Sequence, residues 1–121
     1  MSGKTARGYL VIADITGFTA FVADSELDHA QAILQQILER LIAELTPTLT
    51  LVEVEGDAVF VYGSEGRLSR GELVVELVEA TYASFRRLKT DMLRNATCPC
   101  RACQSIDSLD LKFVVHFGEF V

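Results

Sequence analysis

The sequence contains little positive charge. It has 11 lysine and arginine residues against 17 aspartate and glutamate residues, which gives a formal net charge of −6. Proteins that hold nucleic acids without regard to base sequence need clustered lysine and arginine side chains against the phosphate backbone. The charge balance therefore argues against such a protein. A small anionic ligand can still bind where a metal ion neutralises its charge.

The sequence also lacks a long hydrophobic run. Its apolar segments are too short to cross a membrane, and the N-terminal MSGKTARGYL carries two basic residues but no hydrophobic stretch of signal-peptide length. We therefore expect a cytoplasmic protein that does not bind membranes. Half of the residues are hydrophobic and 23% are charged, which predicts a packed core. The length of 121 residues predicts a single domain over residues 1–121.

Two segments have the apolar spacing of long amphipathic helices. Ser25 with Asp28 precedes the first segment and Pro47 ends it, while Ser69 with Glu72 precedes the second. The expected buried stripe of the first helix is Ala30, Ile33, Leu34, Ile37, Leu38, Leu41, Ile42 and Leu45. The expected stripe of the second is Leu73, Val74, Leu77, Val78, Thr81, Phe85, Leu88 and Met92.

Four segments have the composition or alternation of strands, and a short helix should follow the first of them. The strands are predicted at residues 9–13, 49–55, 58–62 and 111–117, and the short helix at 18–22. The first strand should be buried on both faces. In the second, alternation sets Leu49, Leu51 and Glu53 on one side. The order β-α-α-β-β-α-β predicts an α+β fold with a ferredoxin-like sheet and helices on one face.

The first candidate site lies in residues 9–21, YLVIADITGFTAF. Asp14 ends the predicted strand, and Thr16 with Gly17 supplies a turn whose backbone N–H groups can face outward. Such a layout suits a phosphate with a metal ion. The alternative is that Asp14 only caps the helix that follows, as acidic residues often do.

A second acid lies at the tip of the predicted hairpin, in Glu55-Gly56-Asp57. Taken alone, a Gly-Asp pair fits an ordinary turn equally well. The occurrence of Asp14 and Asp57 in this order is much less expected by chance, so we interpret them together.

These two segments resemble a known family. ADITGFT at residues 13–19, followed by EGDAVFVY at 55–62, is similar to the catalytic-domain core of the class III nucleotide cyclases. The strand at 111–117, with His116 and Gly118, is similar to the next core strand of that fold. The chain as a whole looks closest to an uncharacterised bacterial offshoot of the superfamily. Class III cyclases convert a nucleoside triphosphate, ATP or GTP, into a 3′,5′-cyclic nucleotide and pyrophosphate at sites between two catalytic domains, so the resemblance implies a homodimer.

The resemblance also assigns roles to individual residues. It implies two Mg²⁺ or Mn²⁺ ions held by Asp14, the Ile15 carbonyl and Asp57, terminal phosphates bound by Thr16, Gly17, Phe18 and Thr19, and a purine contacted by Glu53. Glutamate at this last position is typical of guanylyl cyclases, because a carboxylate can accept hydrogen bonds from guanine but not in the same way from adenine. The alternative is that Glu53 is a strand residue that faces solvent.

One part of the family pattern is missing. The transition-state asparagine and arginine of these enzymes, one helical turn apart, follow the last predicted strand, whereas Asn95 is the only asparagine here and has Pro99 four positions on. We therefore expect no catalytic residue in this chain and a partial, C-terminally truncated domain that ends within FVVHFGEFV. Such a chain should bind nucleotide without measurable cyclase activity.

The three cysteines form a separate cluster, Cys98, Cys100 and Cys103. In a reducing compartment this spacing indicates metal ligands before disulfides, and zinc is the first candidate. A structural zinc site needs four ligands, so the fourth would be His116, His29, Asp107 or a residue of a second subunit. The alternative is three reduced thiols. The cluster supports a second hypothesis, a non-catalytic regulatory or dimerisation module with a cyclase-like fold that zinc stabilises.

Overall fold

The computed structural model describes residues 6–23, 27–66, 71–94 and 106–120. Its elements are β1 (Ala6–Thr16), α1 (Phe18–Ala23), α2 (Leu27–Leu45), β2 (Thr50–Glu55), β3 (Ala58–Ser64), α3 (Gly71–Arg94), a 3₁₀ helix (Ile106–Ser108) and β4 (Asp110–Phe120). The predicted order of helices and strands is confirmed. Among the described helices, none is long and apolar enough to cross a membrane.

The four strands form one antiparallel sheet in the order β2-β3-β1-β4. β3 lies between β1 and β2, and β1 lies between β3 and β4, so each helical connection crosses over one intervening strand. This arrangement is the ferredoxin-like plan that the element order predicted. It places the start of α1 and the β2–β3 turn at the same end of the sheet.

The helices pack against one face of the sheet. Strand residues Val11, Ala13 and Ile15 are buried on this face in one cluster with residues of the helices. The members from α2 are Ala30, Ile33, Ile37, Leu41 and Leu45, as the helical spacing predicted. The prediction that β1 is buried on both faces is wrong, because Leu10 and Ile12 are only half-buried. We call the side of the sheet that bears Leu10, Ile12 and Asp14 the open face.

Two polar residues of α3 lie in the core. Thr81 belongs to the predicted stripe, and its hydroxyl donates a hydrogen bond of 2.8 Å to the Leu77 carbonyl. Ser84 was not predicted to be buried, and its Oγ accepts a hydrogen bond of 3.3 Å from Arg40 on α2. Both residues tolerate burial because their hydroxyl groups have partners.

The pairing of β2 with β3 contains an irregularity. Leu51 pairs with Val61, but Glu53 pairs with Phe60, so the register shifts between Leu51 and Glu53. A β-bulge of this kind places one extra residue on one strand and reverses the sides that later residues face. The predicted alternation, with Leu51 and Glu53 on one side, is therefore wrong. Glu53 shares the open face with Phe60.

Candidate functional site

Asp14 and Asp57 are neighbours at one end of the sheet. Asp14 pairs with Ala58 across β1 and β3, and the N–H of Ile15 donates a hydrogen bond of 3.0 Å to the Asp57 carbonyl oxygen. Asp14 projects on the open face because the buried residues Ala13 and Ile15 on either side of it project toward the helices. Both aspartates are half-buried. The fold thus brings together two carboxylates that are 43 positions apart in the sequence.

The structure excludes the simpler explanation for Asp14. Helix α1 begins at Phe18, so the residue in the capping position is Gly17, whereas Asp14 lies inside β1. An N-cap side chain must lie immediately before the first helical residue to reach the free N–H groups. Asp14 is therefore a strand residue with an open-face side chain and not a helix cap.

Residues 16–19 form a tight connection between β1 and α1, which we call the Gly17 turn. Gly17 has φ of +83°, a conformation that residues with a Cβ rarely adopt. A Cβ at this position would also lie 3.1 Å from the Ser108 carbonyl oxygen. On the helix side, the N–H of Phe21 donates a hydrogen bond of 3.0 Å to the Gly17 carbonyl, and the Phe21 side chain is buried in the core. The turn thus lies close to Ser108 on one side and is bonded to the first turn of α1 on the other.

Glu53 lies on the open face, two strands from Asp14. It pairs with Phe60, which in turn pairs with Ile12, and both Phe60 and Ile12 are half-buried. Glu53 is exposed and lies beside Glu55. When protonated, Glu53 donates a hydrogen bond to the Glu55 carboxylate, and this bond, together with the negative charge of Glu55, raises the pKa of Glu53 above its ordinary value.

Sequence reasoning missed three open-face residues near the two aspartates. Ile12 of β1 and Phe60 of β3 supply an apolar surface beside Glu53, and Lys112 of β4 pairs directly with Asp14. Side chains paired directly across antiparallel strands are near neighbours, so Lys112 shares the open face with Asp14. The alternation of Phe60 and Tyr62 with the buried Val59 and Val61 was the signal for the apolar part. No sequence signal identifies Lys112, because its partner depends on strand register.

The zinc hypothesis concerns a different region. Cys98, Cys100 and Cys103 lie outside the described residues. Of the suggested fourth ligands, His116 is exposed on β4, Asp107 is exposed in the 3₁₀ helix, and His29 is exposed on α2. Within the described ranges, no group of three or more His, Cys, Asp or Glu side chains is arranged to hold a metal ion. The zinc site stays a prediction.

Comparison with protein families identifies the group to which the chain is related. Residues 34–121 match the model of a family described as "Protein of unknown function (DUF2652)". The chain belongs to this family. The match includes Glu53 and Asp57 and begins after the Gly17 turn.

A curated relative of this DUF2652 chain is the uncharacterised protein Rv2561/Rv2562 of Mycobacterium tuberculosis. The two are 31% identical over 86 residues, which is 71% of this chain and 39% of the relative. The chain thus spans well under half of the length of the curated protein that it matches. This relationship supports a shared fold without indicating an activity.

Several solved structures are similar to the DUF2652 chain. A bacterial light-regulated adenylyl cyclase aligns with a TM-score of 0.71 and 9% identity over 98% of this chain and 56% of its own. The adenylyl cyclase CyaB from P. aeruginosa aligns with a TM-score of 0.71 and 19% identity over 96% of this chain and 59% of its own.

A third similar structure is a class III adenylyl cyclase-like ATP-binding protein from Pseudomonas aeruginosa. It aligns with a TM-score of 0.67 and 21% identity over 96% of this chain and 25% of its own. At these identities the comparisons establish the fold alone. The fold of this chain is that of the class III cyclase domains. The resemblance inferred from the two aspartate segments is therefore confirmed for the fold.

Proposed function

We propose that this chain is a nucleotide-binding domain that takes a nucleoside triphosphate together with Mg²⁺ or Mn²⁺. The observation that carries the proposal is the hydrogen bond of 3.0 Å from the Ile15 N–H to the Asp57 carbonyl, which places two acids at one end of the sheet. The Gly17 turn lies at the same end. Two carboxylates beside a turn between a strand and a helix form a suitable environment for a metal-bound phosphate.

The donor set fits the proposed metal ion. Mg²⁺ prefers oxygen ligands and is commonly held by one or two carboxylates together with phosphate oxygens of the ligand. Asp14 and Asp57 would supply the carboxylates, and the Ile15 carbonyl is a third oxygen close to them in the chain. When bound, the ion neutralises phosphate charge that would otherwise be repelled by a chain of net charge −6.

The remaining open-face residues suit the other parts of the ligand. Backbone N–H groups of the Gly17 turn would hold the terminal phosphates. Ile12 and Phe60 offer an apolar surface for the base, and Glu53 at the edge of that surface could accept hydrogen bonds from a guanine. Adenine presents a different donor and acceptor pattern, so we expect GTP to bind more tightly than ATP if Glu53 contacts the base.

We further propose that the 121-residue polypeptide binds nucleotide without turning it over. Its only asparagine, Asn95, has Pro99 four positions on, so these 121 residues offer no asparagine and arginine pair like that of the class III cyclases. Loss of a cationic group aimed at charge on the transferred phosphate costs on the order of 10³-fold in rate. The similar protein described as an adenylyl cyclase-like ATP-binding protein is consistent with a nucleotide-binding role for this fold.

Thermal unfolding with nucleotides tests the binding proposal. GTP or ATP with Mn²⁺ should raise the melting temperature, since a ligand that binds only the folded state stabilises it by mass action. Neither Mn²⁺ alone nor nucleotide with a chelator should give the same shift. The absence of a shift at millimolar MnGTP and MnATP would reject the proposal. Formation of cyclic nucleotide that disappears in Asp57→Ala would reject the proposal that the chain is inactive. It would support the proposed position of the nucleotide site.

A second candidate function is a non-catalytic dimerisation or regulatory module. The open face favours it, because Leu10, Ile12 and Phe60 are only half-buried and Val114 is 46% exposed. Apolar residues of this kind on one sheet face can pack against a second copy. Sedimentation of the wild type and of Phe60→Glu tests the idea: a dimer that the substitution dissociates supports it, and a monomeric wild type rejects it.

A further inference from the structure

Lys89 on α3 holds the segment that leads into β4. Its ammonium group donates a hydrogen bond of 2.8 Å to the Leu109 carbonyl and another of 3.2 Å to the Asp107 carbonyl. Its Nζ also lies 5.8 Å from the centroid of the Phe85 ring, which belongs to the buried core. The ammonium group of this half-buried lysine is thus bound by two backbone oxygens and lies near a ring of the core.

The segment that Lys89 holds lies against the Gly17 turn. Ile106 and Leu109 are buried, and the N–H of Leu109 donates a hydrogen bond of 3.1 Å to the Ile106 carbonyl. Ser108 lies between the two carbonyls that Lys89 binds. Its own carbonyl oxygen lies 3.1 Å from the position that a Gly17 Cβ would occupy. A cation on α3 therefore fixes the surface on which the Gly17 turn rests.

We propose that Lys89 is a positioning residue for the Gly17 turn and thereby sets the affinity for the terminal phosphates of a nucleotide. Hydrogen bonds from a charged donor are stronger than those between neutral groups, so loss of the ammonium frees the carbonyls of Asp107 and Leu109. Ser108 then no longer supports Gly17, and the N–H groups of residues 16–19 lose their fixed directions. The inference rests on the proposed nucleotide site only for its effect on affinity.

Amide hydrogen exchange of the protein without ligand tests the mechanical part. Lys89→Met should speed exchange at Gly17 and Phe18 relative to Val11 in the middle of β1. Arg87→Met is the matched control, since it removes the same charge from an exposed position on the same helix. If both variants behave alike, or if exchange rises equally at Val11, the proposed link between Lys89 and the turn is wrong.

Two further variants keep the proposal testable if Lys89→Met does not fold. Lys89→Arg keeps a cationic donor and should restore slow exchange at the turn. Lys89→Gln keeps one uncharged donor and should lie between the wild type and Lys89→Met. If Lys89→Met does not fold, the order of Lys89→Arg and Lys89→Gln decides the question by the same readout.

A comparison of ligands tests the functional part. With Mn²⁺ present, Lys89→Met should weaken binding of a nucleoside triphosphate roughly tenfold, since a misplacement of binding groups by about 1 Å can cost up to on the order of 100-fold. Binding of the monophosphate, which lacks the terminal phosphates, should be unchanged. Equal weakening of both ligands would overturn the positioning role. If the wild type binds neither ligand, the proposed function is wrong. The hydrogen-exchange experiment then tests the link between Lys89 and the Gly17 turn by itself.

Discussion

The N–H of Ile15 donates a hydrogen bond of 3.0 Å to the carbonyl oxygen of Asp57. Ile15 is the last buried residue of β1 on the helix-covered face, and Asp57 lies in the turn between β2 and β3. The bond joins the end of the first strand to the tip of the hairpin. Asp14 is thereby held beside Asp57, so both carboxylates can bind one metal ion.

Asp14→Asn and Asp57→Asn should each abolish the stabilisation by a nucleoside triphosphate with Mn²⁺. An amide has one neutral oxygen acceptor where the carboxylate has two anionic ones, so it binds a hard cation poorly. A ligand at 100 times its dissociation constant stabilises by about 2.7 kcal/mol, and this increment should vanish. Differential scanning fluorimetry measures it. Asp28→Asn, at an exposed acid of α2, serves as the control and should keep the full shift.

Gly17→Ala should destabilise the chain by about 1–2 kcal/mol, because a residue with a Cβ resists the left-handed conformation. The φ of +83° and the Ser108 carbonyl at 3.1 Å from the Cβ position both oppose the methyl group. Urea denaturation gives the free energy of unfolding. Gly66→Ala is the control, since a Cβ there meets no atom within 4 Å. Equal effects of the two substitutions would contradict the geometry of the turn.

Tyr82→Phe should lower stability at neutral pH by about 0.5–1 kcal/mol, the range for one exposed hydrogen bond to a charged group. The Tyr82 hydroxyl donates a hydrogen bond of 2.8 Å to Asp110, and this bond holds the pKa of Asp110 below its ordinary value. The stability is present above the pKa of the unfolded carboxyl and is lost as pH falls through the folded pKa.

The pH dependence of the stability difference shows whether the Tyr82 hydroxyl acts through Asp110. Urea midpoints of the wild type and Tyr82→Phe should converge in acid, where Asp110 is protonated in both states. In an Asp110→Asn background, the same tyrosine substitution should have no pH-dependent effect. A constant difference across the whole pH range would show that the bond does not act through Asp110.

Glu55→Gln should lower the pKa of Glu53 toward its ordinary value. The hydrogen bond to Glu55 and the Glu55 charge raise the pKa of Glu53, so the folded chain holds its proton more tightly than the unfolded chain. Stability therefore falls as pH rises through that pKa, and Glu55→Gln should stabilise at neutral pH but not in acid. Titration of the Glu53 carboxyl by NMR measures the shift directly, and Glu65→Gln at an exposed loop position is the control.

The cysteine cluster predicts bound zinc. The purified chain should contain about one equivalent of zinc per polypeptide, and a strong chelator should lower its stability because metal binding contributes folding free energy. Elemental analysis measures the zinc content, thermal unfolding with and without the chelator measures the stability, and thiol titration counts the free cysteines. Metal-free protein with three freely reacting thiols would remove the zinc hypothesis without affecting the nucleotide site.

Much of the fold followed from the sequence. The spacing of Ile33, Ile37 and Leu41 predicted α2, and the structure buries all three. The element order predicted the sheet with helices on one face, because antiparallel hairpins and right-handed crossovers leave few arrangements. The sequence also marked both acids, since Asp14 closes an apolar run just before the Gly17 turn and Asp57 follows Gly56 just before another apolar run.

Other features of the candidate site were decided only by tertiary structure. The bulge between Leu51 and Glu53 moves Glu53 to the open face, and strand register places Lys112 opposite Asp14. The approach of Ser108 to Gly17 joins positions 91 residues apart. Local sequence reports periodicity and turn preference, whereas these contacts depend on how strands align and how segments far apart in the chain pack. The residue types of the site were thus determined by the sequence, and their neighbours by strand register and by the packing of distant segments.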